Sequence, residues 1–244
     1  MKIFIVFIYV MFSLMGYSQG FNEHHIGSDG VQGNLEFHDV DGNLIPIGYH
    51  PDINGTPMLN EKSGYASIIF KNRQPISDSM INYSLFDNKL FFIRNGQYYL
   101  INFPVKDFTI QYSENQGAKI SYHFKSGFPT FEEFDSSTFF EVLLEGNSFE
   151  FLKWQHKRIL ESQNYGGAIE KEYSTLQEFL VYLPKENKMV SLGIKPTING
   201  IKKSFPSYLN QIDSYITAHK TNFKKEGEYI QLFSYLESES KYKL

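Results

Sequence analysis

The chain has 244 residues, a formal net charge of −4, no cysteine, and a 17% aromatic content carried by 23 Phe and 17 Tyr against one Trp. That charge supplies no basic field for nucleic acid, and the missing cysteine removes both disulfide staples and the thiol a lipid anchor needs. Phe and Tyr at this density suit pleated, half-buried surfaces, so a β-dominated α+β class is predicted.

The N-terminus reads as an export signal. Lys2 forms a short positive region, Ile3 to Met15 an apolar one, and Gly16-Tyr17-Ser18 offers the small residues a signal peptidase inspects. Residues 1–18 are therefore predicted to be removed, with Gln19 the first residue of a periplasmic or extracellular chain. The apolar run falls short of the roughly 18 to 20 residues that span a bilayer. No later segment approaches that length, so no transmembrane span is expected after cleavage. A charged, helix-like end, Glu237 to Leu244, argues against an outer-membrane barrel. Residues 19–33 are polar and Gly-rich and read as a flexible leader.

Residues 34–195 read as an antiparallel β domain, a meander of hairpins forming a sandwich or a partly open barrel. Leu35 to Asp39 and Asn43 to Ile47 flank the turn dipeptide Asp41-Gly42, with Pro46 marking an edge strand. Tyr49 to Gly64, rich in Pro, Gly and Asn, reads as a long connection. Strand-length runs follow at 79–86, 89–94, 97–103, 107–113 and 119–125. Asn95-Gly96 between two of them suits a type I′ turn, whose central residues both need positive φ. Alternation is cleanest in Phe108/Ile110/Tyr112 and Ile120/Tyr122/Phe124. A second hairpin is predicted at 138–145 and 149–158 around Gly146-Asn147-Ser148. A polar break covers 161–169, and a third hairpin joins 177–183 to 188–194.

The period then changes. In residues 196–244, Tyr208, Ile212, Tyr215, Ile216 and His219 share one helical face, and Tyr229, Leu232, Phe233 and Leu236 another. Two or three helices packed on the sheet are predicted, with Ser207 as a cap for the first face and Lys220 suited to its C-terminal dipole.

The order of these segments resembles a group of secreted Bacteroidota proteins that carries no assigned activity. The resemblance rests on Gly55 to Glu61, Asn82 to Phe92, Tyr98 to Phe103, Phe139 to Gly146 and the helical tail from Ile201 to Tyr235. It covers most of the mature chain and implies a periplasmic or extracellular protein of a Gram-negative bacterium. It brings no catalytic residues.

Motifs of chemistry are sparse. No nucleophile elbow, phosphate-binding glycine loop or zinc-protease His pair occurs, so no catalytic residue, metal or cofactor is assigned. His24-His25 lies in the leader without the fixed geometry of a metal site. Asp39, Asp41 and Asn43 alternate as calcium ligands do, yet the closing Glu is missing and a hairpin turn accounts for them better. Glu132, Glu133 and Asp135 form an acidic loop cluster read as solvated. His38 and His50 are scattered, and His123 reads as a solvated side chain. Asn54 and Asn82 match the glycosylation pattern by accident of composition.

The richest stretch is Phe149 to Arg158. As a strand it aligns Leu152, Trp154, His156 and Arg158 on one face, making Trp154, His156 and Arg158 the candidate ligand-binding residues. Such a row stacks on a sugar or grips an acidic partner, and the simpler reading buries Trp154 under the sheet with the cations at its edge. The expected function is that of an exported envelope or surface protein, non-catalytic, binding an unknown protein partner or small-molecule ligand. The alternatives are a hydrolase assembled from loop carboxylates and histidines, and a half-barrel carrier holding an apolar ligand under the helices.

Overall fold

In the computed structural model, which describes residues 37–38, 41, 43, 52–113, 118–163 and 166–240, the strands join one continuous sheet. In chain order they are β1 (Phe37–His38), β2 (Gly64–Phe70), β3 (Ile76–Ser84), β4 (Lys89–Arg94), β5 (Gln97–Leu100) and β6 (Val105–Ser113). β7 (Lys119–Lys125), β8 (Phe140–Leu144), β9 (Glu150–Gln163), β10 (Ile169–Leu183) and β11 (Lys188–Gly193) complete it. The spatial order is β1-β5-β4-β3-β2-β6-β7-β8-β9-β10-β11. Strands β2 to β11 form ten antiparallel members of an open sheet, and β1 adds in parallel to β5.

Three helices, α1 (Ile198–Ser204), α2 (Leu209–His219) and α3 (Glu226–Ser240), pack on it. The fold is thus β-dominated with a helical C-terminus, as its composition and periodicity predict. The strands belong to one sheet, and that sheet does not close on itself.

Turn chemistry sets the hairpins. Asn95 and Gly96 hold φ of 54° and 77° between β4 and β5, and Asn88 and Asn187 hold positive φ at two further hairpin ends. β2 alternates cleanly, with Ala66, Ile68 and Phe70 buried and Tyr65, Ser67 and Ile69 on the other face. Its buried face joins Ile81, Tyr83, Phe108, Ile110 and Phe124 in a first core. There Tyr83 meets Phe108, Phe124 and Phe139 edge-on at 5.4, 5.1 and 5.8 Å.

The other half of the sheet, β8 to β11, is covered on both faces. Phe149, Phe151, Phe179 and Val181 pack under the helices against Ile212, Leu232, Phe233 and Leu236. Phe151 and Phe233 stack at 4.9 Å, so aromatic rings fill this part of the space under the helices. On the opposite face Leu152, Leu180 and Met189 meet Phe128 and Phe134 from the connection before β8.

Several expectations need correction. β9 runs on to Gln163, into the expected polar break at 161–169, and β2 and residues 170–176 of β10 are strands in stretches given no assignment from sequence. Gly64 opens β2 because a Cβ there would lie 2.6 Å from the Gln111 carbonyl oxygen. The 35–47 hairpin falls mostly outside the described residues, and His38 pairs instead with Tyr99 in parallel register. Ser207 does not cap α2: Tyr208 is its N-cap residue, its side chain making no cap bond, and Ser207 sits in a 3-10 turn. Thr197 supplies the side-chain cap, its Oγ1 accepting from Gly200 N–H at the start of α1. Lys220 ends α2 in the left-handed region, as a C-cap does.

Candidate functional site

An apolar groove lies beside the first core, with Phe70, Phe92 and Ile101 common to both. Three segments wall it: the β2–β3 connection, the end of β4, and the chain leaving β5. A bulge between the Ala66 and Ile68 pairings, with Asp78 at φ 54°, bends β3 at the Ile76 end. Lys71 N–H donates to the Pro104 carbonyl at 2.9 Å and Ile101 N–H to the Leu90 carbonyl at 2.9 Å, which ties the walls together. The result is an open groove of about 720 Å³. Phe70, Ile76, Phe92, Ile101 and Phe103 form much of its lining, and Ile76 and Phe103 remain 38% and 46% exposed. Ordinary ligand clefts occupy roughly 300 to 1,000 Å³.

The polar groups of the lining are Arg73, Gln74, Ser79 and Arg94, with no carboxylate. The Arg73 guanidinium carbon sits 3.8 Å from the Phe103 ring centroid and 5.6 Å from that of Phe70, a cation–π arrangement. Among the described residues, neither Arg73 nor Arg94 has a carboxylate within ion-pair distance.

The row proposed from sequence occupies the face of β9 away from the helices. Leu152 is fully buried, Trp154 is half-buried against Phe134 at 5.0 Å, and His156 stacks on Trp154 at 5.5 Å with an interplanar angle of 3°. Phe86 also stacks on His156, at 6.3 Å. Arg158 is exposed further along the strand, opposite Ser174. The row therefore brings Trp154 and His156 together in a packed aromatic stack, with Arg158 beyond it.

Other candidates resolve into structural roles. His123, instead of standing free, pairs Nε2 with Asp107 Oδ2 at 2.8 Å across the β6–β7 ladder. Asp135 accepts from Ser137 Oγ at 2.7 Å, from Ser137 N–H at 2.8 Å and from Thr138 N–H at 3.1 Å. These bonds, led by the Ser137 hydroxyl, hold its carboxyl below the ordinary value, as a turn cap. Asn82 is fully buried, its amide donating to the Asn60 carbonyl and accepting from Tyr83 N–H, which leaves no room for a glycan. Asp41 is an exposed turn residue, while His24, His25, Asp39 and His50 lie outside the described residues. Among the described residues no three His, Asp or Glu side chains converge as a metal site.

Two charge clusters support the second half of the sheet, one centred on the buried Lys153 and one on the half-buried Lys125. Lys153 contacts Glu141 at 2.7 Å and Glu226 of α3 at 2.9 Å. Burial opposes the charge of Lys153, but the two carboxylates outweigh it and raise its affinity for the proton. Lys125 reaches Glu145 at 2.5 Å and lies 3.7 Å from Glu150. Burial pushes the carboxyls of both Glu141 and Glu150 up. A raised carboxyl stabilises the fold fully below its ordinary value of 4.5, and that contribution is lost as pH rises through the folded-state value. Glu150→Gln should therefore gain stability relative to the parent chain as pH rises from about 4.5 toward neutrality. Paired thermal melts across this range check it; a difference independent of pH would contradict it.

Sequence reasoning misses the groove residues Arg73, Ile76, Arg94 and Phe103. The signal that could find them is an arginine amid Phe70, Pro75 and Ile76 without an acidic neighbour, and it is slight. No protein-family model, curated protein or solved structure matches the chain.

Proposed function

We propose that this is an exported, non-catalytic envelope or surface protein that binds a small ligand with an apolar body in the groove between the β2–β3 connection and the β4–β5 end. The observation that carries the reading is the open groove of about 720 Å³ whose walls keep Ile76 and Phe103 partly exposed. The aromatic stack at Trp154 and His156 offers less, since its rings already satisfy one another. The hydrolase alternative draws on loop carboxylates and histidines, and of these Asp135 caps its own turn while His123 is paired with Asp107. Binding of a protein partner is the second reading. It draws on Tyr65, Ile69 and Met80, which are 58%, 47% and 40% exposed, with Tyr65 and Met80 directly opposed on β2 and β3.

A neutral solvatochromic dye such as Nile red tests the groove. Saturable binding at one site per chain is expected, and Ile76→Glu should abolish it while leaving the melting temperature unchanged, because Ile76 is already exposed. Binding that survives the substitution would overturn the assignment. Export rests on Lys2, the apolar run to Met15 and the small residues Gly16 and Ser18, and the resemblance to secreted Bacteroidota proteins supports it. Sequencing of the purified native protein should begin at Gln19 or within a residue or two. Intact Met1 in the cytosol would contradict it.

A further inference from the structure

We infer that the ligand of this groove is an apolar anion, and that Arg73, with Arg94 on the same lining, holds its charged end. The inference rests on the small-ligand reading above and narrows it by charge. Arg73 and Arg94 are both exposed and solvated, so what they give the groove is a local positive charge with donors open to an incoming anion. Here two arginines line one apolar groove, and no acidic side chain lines it with them.

The placement of Arg73 is specific. The guanidinium carbon lies over the Phe103 ring at 3.8 Å, a contact that uses the face of the group and not its N–H donors, which remain for another partner. A carboxylate or phosphate monoester matches that fork with two parallel hydrogen bonds. An alkyl chain attached to such a head would lie on Phe70, Ile76 and Phe92, and the volume accommodates a chain of about a dozen carbons. A cationic head would be repelled by the two arginines and a neutral head would gain no charge-assisted hydrogen bond, so the groove discriminates by charge as well as by shape.

Isothermal titration of the mature chain with four twelve-carbon probes below their micellar concentrations tests the inference. The probes are laurate, dodecyl phosphate, dodecanol and dodecyltrimethylammonium. One or both anions should bind at least about tenfold more tightly than dodecanol, with the ammonium weakest. Which anion is preferred distinguishes a carboxylate ligand from a phosphate one, and either preference supports the charge assignment. Arg73→Met should bring anion affinity down to that of dodecanol, and Arg73→Lys should restore part of it. Arg73 is exposed, so these variants should melt with the parent chain. Dodecanol binding as tightly as both anions, or anion selectivity surviving in an Arg73→Met/Arg94→Met double variant, would overturn the inference while leaving an apolar-ligand groove. Failure of all four probes to bind would remove the groove reading itself.

Discussion

Truncation after Phe205 is expected to leave a chain that aggregates and binds hydrophobic dyes instead of melting cooperatively. The deleted segment contributes Ile212, Tyr215, Tyr229, Leu232, Phe233 and Leu236 to the second core, all buried. Burying each such side chain contributes about 1.5 to 3 kcal/mol, so their joint loss rivals the whole stability of an ordinary domain, about 5 to 15 kcal/mol. The cut also uncovers Phe149, Phe151, Phe179 and Val181, and it removes Glu226 from the buried Lys153. Size-exclusion chromatography and a dye-binding melt read the outcome. A monomeric product with an unchanged melting temperature would mean that the helices are an appendage and not part of the folding unit.

The second large effect comes from one side chain. Glu237, buried on α3, accepts from Asn147 N–H at 2.9 Å through Oε1, and from Ser148 and Phe149 N–H at 2.9 and 3.0 Å through Oε2. A single carboxylate thus satisfies three successive amides of the β8–β9 turn. Removing the acceptor leaves the buried Phe149 amide unpaired, at about 1 to 3 kcal/mol, and takes a charge-assisted bond from each of the part-buried Asn147 and Ser148 amides, at about 1.5 to 3 kcal/mol or less apiece. Glu237→Ala is expected to cost about 3 to 5 kcal/mol, a fall of roughly 6 to 20 °C in melting temperature for a domain of this size. Glu237→Gln, which keeps one acceptor oxygen, should lose less. Gly146 belongs to the same arrangement, since a Cβ there would lie 2.7 Å from Glu237 Cδ and from the Phe149 carbonyl oxygen. Equal melting temperatures for Glu237→Ala and the parent chain would refute this account of the turn.

Local rules account for the parts of the fold that the sequence makes legible. Asn95-Gly96 specifies its turn through two positive φ values, and Phe108/Ile110/Tyr112 against Thr109 and Gln111 specify a strand with one wet face. The helical faces of the tail are equally direct, because Leu232, Phe233 and Leu236 repeat at the spacing of a helix. β2 escapes because Tyr65 and Ile69 put apolar side chains on its exposed face and blur the alternation. The first half of β10 escapes for the opposite reason. Its residues from Ile169 to Gln177 are exposed or half-buried, so the partner strand β9, not burial, defines it.

The site is less legible than the fold. Its walls come from three segments brought together by strand order, and Arg73 meets Phe103 across thirty residues of chain, a contact no local pattern announces. His123 and Asp107 illustrate the same limit, for their pairing depends on the β6–β7 register. The Trp154 and His156 alignment is legible from period two alone, but the stacking that satisfies those rings is not.

The claim that the groove at the open end of the sheet is the binding site is tested most directly by amide chemical shifts. A ¹H–¹⁵N correlation titration of the mature chain with laurate should move the resonances of Arg73, Ile76, Phe92, Arg94 and Phe103 in a saturable manner and leave Trp154, His156 and Arg158 in place. Shifts centred on Trp154 and His156, or no saturable shifts at all, would contradict it.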